Sequence, residues 1–261
     1  MAIKKSLLRF IQLLFIYLYF ISCEQKITVK IDLTSTSSFS LSTMINNKFK
    51  PDEIFLNGEK KSLSSTQFSL KKGENVIILK WKQLGNSCDR MFNSCSKIKE
   101  IDLSEFNTSQ VTSMSHMFSG CTSLSTIIIK ELDASKVKSM EYMFSSCSNL
   151  ESLNLNDLKI SAVTNMAHMF DNCQKLKSLT VSNNFNTNQV KNMEYMFYFC
   201  SAMASSNFFS KFDTSKVTSM EYMFSNSGIT SFSLKNSISN LKTMSHMFYN
   251  CKSLESVTLE V

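Results

Sequence analysis

The chain has 261 residues, enough for one extended domain with a small module in front of it, and its formal net charge is +7. Lys4, Lys5 and Arg9 supply three of the positive charges. Residues 24–82 hold ten Lys against six acids, whereas residues 83–261 hold fifteen basic and fifteen acidic residues. Most of the chain is therefore neutral, and its charge does not indicate a nucleic-acid-binding surface.

Residues 1–22 have the pattern of a secretory signal peptide. Two lysines near the start are followed by an apolar stretch, and the small residue Ser22 precedes Cys23. The apolar run is shorter than the roughly 20 residues that span a bilayer, so we expect cleavage, with an uncleaved signal anchor as the alternative. The segment ending at Cys23 also loosely resembles a bacterial lipobox, in which the Cys carries a lipid; an ordinary cleavage region is the other interpretation. Membrane contact is expected only through such an anchor or lipid.

Residues 23–82 are predicted to form a small β module. The segments K-I-T-V-K-I-D-L, E-I-F-L, Q-F-S-L and V-I-I-L-K-W alternate as strands do, and L-N-G-E-K-K and K-K-G-E-N read as turns. The expected role of this module is to cap the exposed strand edge at the start of the array that follows. A separate ligand-binding β domain is the alternative.

A Met-Phe pair recurs through the rest of the chain. It occurs at Met91-Phe92, Met117-Phe118, Met143-Phe144, Met169-Phe170, Met196-Phe197, Met223-Phe224 and Met247-Phe248. The intervals are 26, 26, 26, 27, 27 and 24 residues, a period typical of solenoids. Residues 83–261 are therefore predicted to be seven copies of one structural unit.

Each copy is predicted to contain one short helical turn and one short strand. The apolar residues of V-K-S-M-E-Y-M-F, which begins at Val137, follow a helical or 3₁₀ spacing. Leu153 and Leu155 alternate as in a strand, and Cys147 lies in the turn before them. Strands of successive copies are expected to pair in parallel, which gives an α/β repeat solenoid.

The alternate strand positions are mostly small and polar, which predicts an exposed sheet face. They are Asp102, Asn154, Thr180, Asn207, Ser233 and Thr258. This face is the predicted binding surface. Charged or bulky substitutions at Asn154, Thr180 and Asn207 should weaken binding without unfolding the chain.

The pattern V-x-x-M-x-x-M-F-x-x-C-x-x-L-x-x-L-x-L, preceded by F-[DN]-T-S, resembles the surface-protein repeat of BspA-like leucine-rich-repeat proteins. The resemblance covers about 175 residues in seven copies. It implies a leucine-rich-repeat-like solenoid that is secreted or held at the cell surface, with adhesion or ligand binding as its function. Two copies depart from the pattern. Cys88 takes a Met position in the first, and in the sixth Ser227 replaces the Cys and one residue is missing before Ile229, so a local distortion is expected at each.

Cysteine occupies one position per copy and is expected to form a buried column of free thiols. The residues are Cys95, Cys121, Cys147, Cys173, Cys200 and Cys251. Disulfides between neighbours are the alternative, but parallel side chains fit the disulfide torsion poorly. No metal-ligand spacing, catalytic pattern or cofactor motif occurs, so the sequence predicts no catalytic residue, no metal and no cofactor.

One further position alternates between His and Tyr, which suggests half-exposed rings stacked along the array. His116, His168 and His246 share it with Tyr142, Tyr195 and Tyr222. Two repeats separate His116 from His168, roughly 10 Å at the spacing of strands, too far to share a metal ion.

Asn107-Thr108-Ser109 is the only N-x-[ST] sequence in the chain. Asn107 is therefore a glycosylation candidate if the secretory pathway is eukaryotic. Asp133, Asn186 and Asp213 fill the same position in other copies, which favours a structural Asx turn.

These observations favour non-catalytic recognition of an extracellular protein or glycan through the exposed strand face. The alternative is a structural surface-coat component that self-assembles through the C-terminal end of the solenoid, where Thr258-Leu259-Glu260-Val261 directly follows a strand. A solenoid enzyme would need carboxylates clustered on one face, which the repeat register does not predict.

Overall fold

The computed structural model describes residues 25–40, 44–64, 67–183, 185–234 and 238–259. Residues 1–22, with the predicted signal peptide, and Cys23, the lipidation candidate, lie outside that part of the chain.

The N-terminal segment is built of short antiparallel strands. They are β1 Gln25–Leu33, β2 Ser37–Ser40, β3 Glu53–Leu56, β4 Glu59–Lys61, β5 Gln67–Leu70 and β6 Gly73–Trp81, with a 3₁₀ helix at Asn47–Phe49. Alternation buries Ile27, Val29 and Ile31 of β1 while their neighbours face outward. The sequences of the Ser-rich β2 and of the 3₁₀ helix lack the alternation of apolar residues that predicts a strand. Nε1 of Trp81 donates a hydrogen bond to the Phe49 carbonyl at 2.9 Å, which ties that helix to β6.

β1 joins this segment to the repeats. It pairs antiparallel with β6 on one side and with β7, Ile98–Asp102, on the other, with Val29 opposite Ile101. The resulting six-stranded sheet has the order β4-β3-β6-β1-β7-β8, where β8 is Thr126–Ile128. The edge of the first repeat strand is thus covered by β1, and its N–H and C=O groups are paired.

The remaining repeat strands pair in parallel in short sets. They are β9 Asp133–Ala134, β10 Ser152–Asn154, β11 Lys159–Ile160, β12 Ser178–Thr180, β13 Ser231–Leu234 and β14 Ser256–Leu259. Within the described residues these form pairs, β10 with β12, β9 with β11 and β13 with β14, instead of one continuous ladder. The predicted leucine-rich-repeat-like solenoid with short parallel strands is confirmed.

The prediction of a helical turn in each repeat is wrong in detail, because the segment around each Met-Phe pair forms consecutive β-turns. In the second repeat, the Met117 N–H bonds to the Met114 carbonyl and the Cys121 N–H to that of Phe118. The third residue of each turn, His116 and Gly120, has a positive φ, which is the pattern of a type II turn. Other repeats have the same two left-handed positions. Within the described residues, 3₁₀ helix occurs only at Asn47–Phe49 and Asn207–Lys211, and α-helix only as an isolated residue.

Four columns of backbone hydrogen bonds hold the turn segments together. Between the second and third repeats, the N–H groups of Met114, His116, Phe118 and Gly120 donate to carbonyls of the next repeat at 2.8 to 3.0 Å. Corresponding bonds recur at every junction from the first repeat to the seventh. All point in the same direction along the solenoid. Because they use only the backbone, they fix the stacking whatever the exposed side chains are.

The interior repeats the same side chains in layers. The Phe rings of the Met-Phe pairs stack at 5.3 to 5.7 Å between centroids through the first six repeats and at 6.2 Å at the last junction. Val137, Met140, Met143 and Leu150 show the layer around each ring, since all four are completely buried. Neither the turns nor the strand of one repeat could cover this core alone, so stability comes from stacking.

Candidate functional site

The outward positions of the repeat strands lie side by side in three registered pairs. We call this surface the strand face. It consists of Asp102, Ile128, Asn154, Thr180, Ser233 and Thr258. Asn154 is directly opposite Thr180 in a parallel pair, and both are exposed. Half-buried Ser233 and exposed Thr258 form a second parallel pair, and Asp102 is half-buried beside Ile128.

Ile128 is the residue of this face that the sequence analysis left out. Its side chain is 39% exposed although it is large and apolar. The signal was present, because T-I-I-I places Ile128 at the alternate position that Asn154 fills in the next repeat. The strand face therefore has an apolar residue beside the polar ones, a composition common in binding surfaces.

Asn207 does not lie on a strand, so that part of the predicted face is wrong. It begins the 3₁₀ helix Asn207–Lys211. In this repeat Ser206 takes the place of the buried apolar residue Leu153, and its hydroxyl donates to the Ser231 carbonyl at 2.8 Å. Phe209, three residues further on, is completely buried instead, and its N–H bonds to the Ser206 carbonyl. The tighter helix brings that ring inward where an extended strand would not.

Two ion pairs lie next to the strand face. Glu151 and Lys177 form an ion pair at 2.8 Å across adjacent repeats, and Lys177 lowers the pKa of that carboxyl. Nearer the N-terminal segment, Lys99 bonds to Asp32 at 2.8 Å, which raises the pKa of Lys99. Both pairs are exposed and contribute little to stability.

The cysteine column is buried and reduced. The six column residues and Cys88 are free thiols, and all but Cys251 are buried. Each thiol from Cys121 onward donates to the Phe carbonyl of an earlier repeat, as Cys147 does to Phe118 at 3.2 Å. Burial raises the pKa of Cys147 and of Cys200. Such thiols are neutral and inert, unlike nucleophilic cysteines, whose pKa is depressed.

The His/Tyr column forms a ladder of stacked rings, as predicted. Six rings from His116 to His246 lie 4.2 to 4.8 Å apart with interplanar angles of 12° or less. Burial, together with nearby Arg90, lowers the pKa of His116. His168 is held by Asp171, whose Oδ2 lies 2.9 Å from Nδ1. Each of the six rings covers the face of its neighbour, so the ladder serves packing more than ligand contact.

Asn107, the glycosylation candidate, is exposed and forms the Asx turn suggested by its counterparts. Its Oδ1 accepts from the Ser109 N–H at 3.0 Å. Asp133, Asn186 and Asp213 make the same bond at 2.9 to 3.1 Å. The hydroxyl of Thr108 is buried and donates to the Asp133 carbonyl. Asn107 thus has a structural role in this turn, and its glycosylation stays a prediction.

The described residues contain no group of three or more His, Cys, Asp or Glu side chains able to hold a metal ion. No helix in the same part of the chain is long and apolar enough to cross a membrane.

The repeats decide the family. The model of the family described as "Mycoplasma protein of unknown function, DUF285" matches residues 86–206 and 179–259, which together exceed half of the chain. The chain belongs to this family. The model of the "BspA type Leucine rich repeat region (6 copies)" matches residues 19–139, so the resemblance to BspA-like repeats is confirmed. Among solved structures, a leucine-rich repeat protein from Bacteroides ovatus matches at 17% identity and a TM-score of 0.28, covering 80% of this chain and 70% of that one. No curated protein matches the chain significantly.

Proposed function

We propose that this protein is a secreted or cell-surface, non-catalytic recognition protein that binds an extracellular protein or a glycan through the strand face. The observation that carries the proposal is the exposure, in register, of short variable side chains such as Asn154 and Thr180 on a backbone that is fixed by its own hydrogen bonds. Binding to such a preformed surface requires little ordering of the protein.

The rest of the chemistry agrees with a non-catalytic role. The described thiols except that of Cys251 are buried, each histidine is stacked against a tyrosine, and Glu151 beside the strand face is paired with Lys177. Secretion is supported by the signal-like residues 1–22 and by the surface location typical of BspA-type repeats.

A screen of the protein against arrays of glycans and extracellular-matrix proteins tests this proposal. We expect one saturable ligand, and its affinity should fall at least tenfold when Asn154→Lys and Thr180→Lys are combined, because two charged side chains then stand in the centre of the face. The matched control is Gln110→Lys with Thr112→Lys, since Lys136 and Lys138 fill those positions in the next repeat. Equal loss in both variants, or loss in neither, would contradict binding through the strand face.

A surface-coat component that assembles end to end is the second candidate. It is favoured by Val257 and Leu259 of β14, each 45% exposed on the last described strand. If the coat function is right, light scattering should show oligomers that grow with concentration and that are lost in a Val257→Lys, Leu259→Lys variant. A protein that stays monomeric at all concentrations is incompatible with this candidate.

A further inference from the structure

The surface of the solenoid has a cavity where the sixth repeat departs from the others. Its volume is about 430 Å³, and it lies between the turns of the fifth and seventh repeats. Phe199 and Ser201 line it from the fifth repeat, and Asn250 and Lys252 from the seventh. The strand face is formed by a different segment of each repeat.

The shortened turn of the sixth repeat creates the gap. Other repeats have two residues between the Cys and the following apolar residue, whereas only Gly228 separates Ser227 from Ile229. Gly228 lies so close to the fifth repeat that a Cβ atom would be 2.2 Å from the Ser201 carbonyl oxygen. Gly228 therefore adds no side chain of its own, and the sixth repeat lines the cavity with Asn226 and Ser227. The walls formed by the fifth and seventh repeats are two repeat spacings apart, roughly 9.6 Å, and these residues of the sixth repeat line the cavity between them.

Phe199 is an unusual residue for its position. It fills the second left-handed position of its repeat, with φ of 54°, and its side chain is 41% exposed. The other repeats have small residues there, namely Ser94, Gly120, Ser146, Asn172, Asn226 and Asn250. A bulky residue at positive φ is strained, and such strain is commonly kept for function. The Tyr198 ring, 4.9 Å away and edge-on, holds Phe199 at the cavity wall.

The polar groups of the cavity are oriented by neighbouring side chains. Nδ2 of Asn250 donates to Oδ1 of Asn226 at 2.6 Å, and Nδ2 of Asn226 donates to the Ser225 hydroxyl at 3.0 Å. Among the described residues, Oδ1 of Asn250 and Nζ of Lys252 have no hydrogen-bond partner. Neither Asp nor Glu lines the cavity. An acceptor and a donor are thus available beside an exposed ring.

We propose that this cavity binds a pyranose unit of a glycan. One face of a pyranose presents C–H groups that pack on an aromatic ring, here that of Phe199, while its hydroxyls can donate to Asn250 and accept from Lys252. An apolar surface with a few convergent polar groups is the usual composition of a small-molecule site. The site is separate from the strand face and does not rest on the function proposed for that face.

Saturation-transfer NMR on the full chain tests the proposal with four probes: methyl glucoside, methyl galactoside, N-acetylglucosamine and glucuronate. We expect saturable transfer to the ring C–H protons of at least one probe. In Phe199→Asn the affinity should fall at least tenfold, because the stacking ring is gone. This variant should unfold at the same temperature or higher, since Asn is the residue that other repeats use at that position. Asn250→Ala should also weaken binding.

The control is the combined Gln110→Lys and Thr112→Lys variant, which lies outside both the cavity and the strand face and should bind the sugar as the unaltered chain does. The proposal is overturned if none of the four probes shows transfer, or if Phe199→Asn binds as tightly as the unaltered chain. It is also overturned if Phe199→Asn loses a protein ligand while no sugar binds, which would assign the cavity to protein contact.

Discussion

The buried thiols make stability sensitive to alkaline pH. Burial raises the pKa of Cys88 to about 12 and also raises the pKa of Cys147, Cys173 and Cys200. An ordinary thiol, as in the unfolded chain, has a pKa of 9.0. Above pH 9 the unfolded chain releases thiol protons that the folded chain keeps. The stability from these groups is therefore complete below pH 9 and is lost as the pH rises above it.

The size of the effect follows from that difference. At pH 10, one unit above the unfolded pKa, each thiol that stays protonated in the folded state lowers the free energy of unfolding by about 1.4 kcal/mol. Four such thiols lower it by about 6 kcal/mol, whereas at pH 8 their effect is nearly zero. Because a domain is stable by about 5–15 kcal/mol, the protein should be close to unfolding at pH 10.

Urea unfolding followed by circular dichroism at pH 8, 9 and 10, with a reductant present, measures this loss. Burial also raises the pKa of Tyr142 and Tyr195 above the ordinary value of 10.0, so these two tyrosines lower the free energy of unfolding mainly above pH 10. Cys147→Ala is the control. It should be less stable at pH 8, but the fall between pH 8 and 10 should shrink by about 1.4 kcal/mol. A fall below about 2 kcal/mol in the unaltered chain, or an unchanged fall in Cys147→Ala, would refute the reasoning.

Two further predictions concern single side chains. Gly228→Ala should destabilise the chain by several kcal/mol, because its Cβ would lie 2.2 Å from the Ser201 carbonyl oxygen. Gly85→Ala is the control and should be neutral or slightly stabilising, since no atom lies within 4 Å of the added Cβ. Equal urea midpoints for the two variants would contradict this prediction. Burial lowers the pKa of His116, so below pH 6.5 the unfolded chain binds a proton that the folded chain resists, and stability should fall between pH 7 and 5. His116→Tyr should reduce that fall in thermal unfolding, and no difference from the unaltered chain would show that His116 is not its source.

The repeat register could be predicted from the sequence because each column repeats one chemical type. The Met-Phe pairs stay in line over seven copies and the thiols and the His/Tyr rings over six each, so their stacking followed from the period alone. The Asx turn at Asn107 was predictable for a similar reason, since Asp133 and Asn186 offer the same side-chain acceptor in other repeats.

The helical turn could not be excluded from the sequence. Apolar residues three apart, such as Met140 and Met143, fit a 3₁₀ helix and a β-turn equally well, because both bring residues i and i+3 together. The difference lies in the left-handed φ of Tyr142 and Ser146, and neither is a glycine. For Tyr142 the strain is offset by stacking on His116 and His168, at 4.6 and 4.2 Å, which depends on neighbouring repeats and not on local sequence.

The irregular repeats were harder to interpret than the regular ones, although their signals were present. Ser206 at a buried apolar position marked the point where a 3₁₀ helix replaces the strand, and Ser227 with its missing neighbour marked the shortened turn. Each was visible as a departure from the pattern. What each departure produces depends on other side chains, here Phe209 of the same repeat in the first case and Phe199 of the preceding repeat in the second.

The backbone columns explain why such departures are tolerated. Across the shortened turn, the Phe224 and Asn226 N–H groups still donate to carbonyls of the seventh repeat at 2.9 and 2.8 Å, so the stacking is unbroken. A solenoid held in this way can lose a side chain from one repeat without losing its register. The exposed ring of Phe199 gains nothing from that register, because stacked neighbours of the kind that support Tyr195 do not flank it. The left-handed backbone of Phe199 is shared by its counterparts in the other repeats, so what the proposed ligand explains is the exposed ring and not that backbone.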